Sequence, residues 1–134
     1  MGGYVRLIVL LLWFVVGHAA CAIVHAGVVE PTISSDRIRD MLLGRITTWS
    51  DGTSVTIVLV DETASDQALK DLTGRDCARM LRGWKRLAFS GAGSMPSVVT
   101  SICEAAERIA DIPGSFAVVD AIETDPRWRV LLLP

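Results

Sequence analysis

"IRDMLLGRITTWSDGTSVTIV", residues 38 to 58, changes its hydrophobic period part-way along, and that change decides the fold class. Its first part completes "ISSDRIRDMLLG", in which Ile38, Met41 and Leu42 share one helical face. Ser34 or Ser35 offers the N-cap, Asp36 suits the positive helix N-terminus, and Gly44 ends the run. From Val55 the chain continues as "VTIVLVD", an apolar β-branched stretch long enough for a strand buried on both faces. Between them "TTWSDGTS" is turn chemistry centred on Asp51-Gly52. A helix, a turn and a doubly buried strand make one unit of an α/β architecture.

Working outward, "IVHAGVV" at 23–29 reads as a preceding strand that ends in a turn at Glu30-Pro31. Downstream, "DETASDQALKDLTG" predicts a helix capped by Thr63 or Ser65 and closed by Gly74. Asp76 opens the next helix, where Cys77, Met80, Leu81, Trp84 and Leu87 recur at three- and four-residue intervals as one buried stripe. "LAFSGAGSMPS", residues 87–97, follows as a loop. Ser101-x-x-Glu104 is a capping box, so a last helix is expected from Ile102, with Ile102, Ala105, Ala106 and Ile109 facing inward. Pro113-Gly114 stops it, and "SFAVVD" and "WRVLLL" read as two closing strands. The expected fold is α/β, a small sheet flanked by helices, without internal repeats.

With 134 residues, 51% of them hydrophobic and 21% charged, the chain suits one domain with a true core. A net charge of −2 gives no electrostatic footprint for nucleic acid. The basic residues between Arg75 and Arg86 alternate with apolar ones at helical spacing, as on a solvated helix face. The first 22 residues, "MGGYVRLIVLLLWFVVGHAACA", differ in kind: one Arg, an apolar run from Leu7 to Val16, then small residues. That is the pattern of a secretory signal peptide, with a run too short for a membrane span of roughly 20 residues. Ala20-Cys21-Ala22 fits a small-x-small cleavage site, giving a leader at 1–22 and a mature domain at 23–134, periplasmic or secreted. Lipidation of Cys21 and a retained anchor are the rival readings; against lipidation, His18 stands where such signals carry a Leu-like residue.

Loss of Cys21 would leave Cys77 and Cys103 in an oxidising compartment, either as a disulfide or as two buried free thiols. No CxxC or Cys/His cluster supports a metal, and no cofactor is expected. His25, alone in the mature chain, lies in an apolar strand without a nucleophile elbow or metal-spaced partners, so the chain does not read as an enzyme. The loop at Gly91-Ala92-Gly93-Ser94 lacks the Lys and Ser/Thr of a P-loop and follows no strand. It reads mainly as a connection; if its N–H groups touch an anion, Ser90, Gly91, Gly93 and Ser94 are the groups involved.

Three stretches resemble one known family. "IRDMLLGRITTWSDGTSVTIV", "RGWKRLAFSGAGSMPSVV" and "ERIADIPGSFAVVD" are similar, in the same order, to segments of phosphate-type substrate-binding proteins of ABC transporters. The resemblance implies one lobe of the type II periplasmic-binding-protein fold, with a mostly parallel sheet, outside the cytoplasm and without a cofactor. Full-size members close two lobes on an anion; this chain has length for about one. Their anion loop, an Arg followed by a Ser-Gly-Thr run, corresponds here to Asp61-Glu62-Thr63-Ala64-Ser65-Asp66, which keeps only the hydroxyls of Thr63 and Ser65 as donors. Where the family continues Pro-Gly into a Gly-Tyr pair, this chain has Ala117-Val118.

Two functions follow from the resemblance. One is a single-lobe module that holds phosphate or a similar small oxyanion in ABC-type phosphate transport. The other is an exported scaffold of the same fold that has lost its anion site and docks to a membrane transporter, a sensor or a second copy. Acidic replacement of the anion loop favours the second, and the whole-chain resemblance favours the first.

Overall fold

The computed structural model describes residues 20–30, 32–91, 95–120, 122 and 125–132. Of the expected leader, residues 1–19 lie outside this range. Strands β1 (Cys21–His25), β2 (Thr56–Val60), β3 (Ser97–Val99), β4 (Ser115–Val119) and β5 (Trp128–Leu132) form one sheet in the order β3-β2-β4-β1-β5. β2 pairs in parallel with β3 and β4, whereas β1 is antiparallel to both β4 and β5. Four strands therefore point one way and β1 alone runs against them.

Helices α1 (Ser35–Leu42), α2 (Thr63–Thr73), α3 (Cys77–Phe89) and α4 (Ile102–Asp111) cover the two faces. Alternation along the strands sets the layers, because successive side chains point to opposite sides. Ala22, Val24, Ile57, Leu59, Phe116 and Val118 face a core shared with α1, α2 and α3. Their neighbours Cys21, Ile23, Val58, Val60, Ala117 and Val119 face a second core, where Ala105, Ala106 and Ile109 of α4 pack. β2 is thus buried on both faces, as its unbroken apolar run predicts.

Helix punctuation follows the sequence closely. Ser34 Oγ accepts from Arg37 N, Asp76 Oδ1 from Arg79 N, and Ser101 Oγ from Glu104 N, at 3.2, 2.9 and 3.1 Å. Gly74 closes α2 in the left-handed region at φ +75°, where a side chain would be strained. α2 corrects the expectation: its N-cap is Glu62, and neither Thr63 nor Ser65 caps it. The capping box at α4 is also shifted, since the Glu104 carboxylate reaches the N–H of Thr100 rather than that of Ser101.

Three further expectations meet the structure. Of the stretch 87–97 expected as a loop, Leu87–Phe89 belong to α3, and Ser97 begins β3, which pairs Ser97, Val98 and Val99 with Val58, Leu59 and Val60. The boundary expected between residues 22 and 23 falls within β1, where Cys21 and Ala22 are buried and paired with β4 and β5. No disulfide joins Cys77 to Cys103: both are free, Cys77 buried under α3 and Cys103 exposed on α4. The stripe that buries Cys77 and the capping turn that holds Cys103 outward place them on different surfaces.

Candidate functional site

The chain enters β3 on one side of β2 and β4 on the other, so β2 is the switch point of the parallel strands. The connection after β2 rises into α2 on one face of the sheet, and that after β3 rises into α4 on the other. Diverging loops leave a crevice at the carboxyl ends of the strands, where α/β sheets bind ligands. The two ends are held side by side by Asp61 N–H, which donates to Val99 O at 2.8 Å. A cleft of about 440 Å³ opens here.

Charge dominates this cleft. Asp61, Glu62, Asp66 and Asp76 line it together with one cation, Lys70; Thr63 and Thr100 add hydroxyls. Asp66 Oδ1 accepts from the N–H of Cys77 at 2.7 Å, and Asp76 Oδ1 accepts from Arg79 N. The first turn of α3, a natural anion seat, is therefore already filled by two of the chain's own carboxylates. Burial pushes the Cys77 thiol up to about 11, and the carboxylates of Asp61, Asp66 and Asp76 add to the effect. Ser65 is only 1% exposed, and its Oγ donates to Glu62 Oε2 at 3.0 Å, so it is spent within the chain. Thr63 opens α2 beside the first-turn N–H groups, which helix geometry leaves outside the helical ladder. Among the described residues, no group of three or more His, Cys, Asp or Glu is placed to hold a metal ion.

The second candidate stretch lies elsewhere. Ser90 Oγ donates to Leu87 O at 2.8 Å, and Gly91, at φ +77°, donates its N–H to Ala88 O at 3.1 Å. Both groups close the carboxyl end of α3, where exposed carbonyls make the field negative and unsuited to an anion. Gly93 and Ser94 lie outside the described residues. Met95 lines a different cleft, with Thr56 and Ile57 at the opposite end of β2 from Asp61. Five strand residues at about 3.3 Å each separate the two stretches by roughly 16 Å, so the structure does not bring them together.

His25 stands at the end of β1, where its Nδ1 accepts from Gly27 N at 2.9 Å and shapes the following turn. Sequence reasoning missed Asp76 as a wall of the cleft; its capping pattern was legible, but its approach to α2 depends on how α2 and α3 pack.

No protein-family model and no curated protein matches the sequence. Among solved structures, an ABC-type phosphate transport receptor from Vibrio cholerae superposes with a TM-score of 0.54 at 11% identity, over 86% of this chain and 46% of that one. PstS from Borrelia burgdorferi gives 0.52 at 17% identity, over 86% of this chain and 47% of that one. The fold is that of a periplasmic-binding-protein lobe. This lobe spans about half the length of the structures it resembles. At the carboxyl ends of β2 and β3 it carries the carboxylates of Asp61, Glu62 and Asp66.

Proposed function

We propose that this chain is a non-enzymatic, extracytoplasmic binding-protein-like lobe that serves ABC-type phosphate transport and contacts phosphate or a similar small oxyanion at the amino end of α2. The likeness to an ABC-type phosphate transport receptor and to PstS, each over 86% of the chain, carries the reading. Thr63, Thr100 and the free first-turn N–H groups of α2 are the donors, with Lys70 as the nearby cation. Four carboxylates around them oppose the anion, so binding by the isolated lobe is weak. A membrane transporter, or a second lobe supplied by another chain, would complete the enclosure.

The same carboxylates favour a second reading, an exported docking module whose anion site has been lost. An amide-resolved NMR titration of the exported protein with phosphate at fixed ionic strength separates the two. Saturable shifts confined to residues 61–66 and 100–104, strengthened in an Asp61→Asn, Glu62→Gln variant, support oxyanion contact. Absence of saturable shifts up to tens of millimolar in both proteins would leave the docking reading in its place.

A further inference from the structure

The cleavage pattern at Ala20-Cys21-Ala22 conflicts with the sheet. Cutting after Ala22 removes the first two residues of β1, a strand held between β4 and β5. Cys21 faces Val119 on one side and Leu132 on the other; Ala22 faces Val118 and Leu131. Ala22 is fully buried in one core and Cys21 in the other, so both faces of the sheet would open at once. Ala20 belongs to the folded lobe as well, because it packs against the core beneath α1 to α3. Lipidation of Cys21 meets the same obstacle. Its buried Sγ donates to the carbonyls of Val119 and Asp120 at 3.7 and 3.8 Å, so a thioether-linked lipid would break these contacts and push into the core.

We infer that the exported chain is processed between Ala19 and Ala20, by a peptidase that reads Gly17-His18-Ala19. This rests on the export reading above. The three residues are small-x-small, the pattern such a peptidase accepts at the third and first positions before the cut, and they directly follow the apolar run ending at Val16. Cleavage there leaves β1 whole with one residue in front. It also creates an α-ammonium at Ala20, and the antiparallel register of Cys21 with Val119 sets Ala20 opposite Asp120. A new positive charge is thereby placed beside an existing negative one at the end of the ladder.

The test is the intact mass and amino-terminal sequence of the protein recovered from outside the cytoplasm after expression of the full chain. A product beginning at Ala20 supports the site, as does accumulation of precursor with loss of that product in an Ala19→Gln variant, which alters no residue of the sheet. A product beginning at Ile23, or one acylated at Cys21, overturns the site and leaves export standing. An Ala19→Gln chain cut as completely as the parent also overturns it. A full-length chain that stays inside the cell overturns both the site and the export reading.

Discussion

The indole N–H of Trp49 donates to the carbonyl of Gly114 at 2.8 Å, joining two turns 65 residues apart in the chain. The same indole stands edge-on to Phe116, with ring centroids 6.1 Å apart. Gly114 has φ +76°, and a Cβ there would run into the carbonyl of Ser54 and crowd Thr53. The turn before β2 and the turn before β4 are thus locked at the amino ends of two paired strands. Gly114→Ala is expected to cost about 3 kcal/mol, from left-handed strain and the backbone clash together. Trp49→Phe is expected to cost about 2 kcal/mol, because the Gly114 carbonyl keeps the Thr56 N–H but loses the indole donor, and the smaller ring leaves buried space unfilled. Urea unfolding measures both; an alanine at 114 within 0.5 kcal/mol of the parent would refute the lock.

Glu30 is 5% exposed and accepts through Oε1 from Arg37 Nη2, from Ser50 N, both at 2.8 Å, and from the Ser50 hydroxyl. Removing the guanidinium strands a buried carboxylate, so Arg37→Met should destabilise by about 2–3 kcal/mol, reduced from the fully buried case because the Arg37 side chain is 34% exposed. Glu30→Gln keeps an acceptor for Ser50 and should cost less. The double variant should be less destabilised than the sum of the two, and a double-mutant cycle by thermal or chemical unfolding reads that coupling.

Thiol reactivity should divide by position. Cys103 is exposed, whereas Cys21 and Cys77 are buried with thiols pushed up from the ordinary value, chiefly by burial. In the native protein at pH 8, without reductant, iodoacetamide should modify Cys103 at least tenfold faster than the other two. Comparable rates at Cys77 and Cys103, or protection of Cys103 that only reductant relieves, would contradict this arrangement.

Acid should weaken the fold partly through two exposed turns. The backbone N–H of Thr53 holds the Asp51 carboxyl below its usual range, and the Arg127 side chain does the same for Asp125. Each folded-state value lies under the unfolded one, so the stabilisation is complete above about pH 4 and is lost as pH falls through the lowered values. An Asp51→Asn, Asp125→Asn variant should show a shallower decline in melting temperature between about pH 4 and pH 2 than the parent. Parallel decline in both proteins would remove these turns from the account.

Much of this architecture is local and was legible for that reason. The stripe from Cys77 to Trp84 and the caps at Ser34, Asp76 and Ser101 each depend on residues within a turn or two of one another. β3 was not legible, because three residues after Met95-Pro96 carry no periodicity and become a strand only by pairing with β2. Cys21 and Ala22 look like a cleavage motif until β4 and β5 are seen beside them. At the candidate site, the acidic change at 61, 62 and 66 could be read directly from sequence. Ser65 could not be assigned that way: its hydroxyl looks available until Glu62 is found to take it.

The position of β1 between β4 and β5 also governs how the chain can fold. Cys21 meets Val119 across 98 residues of sequence, so the first strand made cannot join its ladder until nearly the whole domain exists. Such non-local closure is entropically slow. β2, α2, α3, β3, α4 and β4 make nearer pairings that can collapse before it, leaving a slot for β1 beside β4. A chain fed amino end first through a pore would therefore emerge with its one antiparallel strand unpartnered, and would depend on delayed collapse or a holding partner until residues 115–132 arrive.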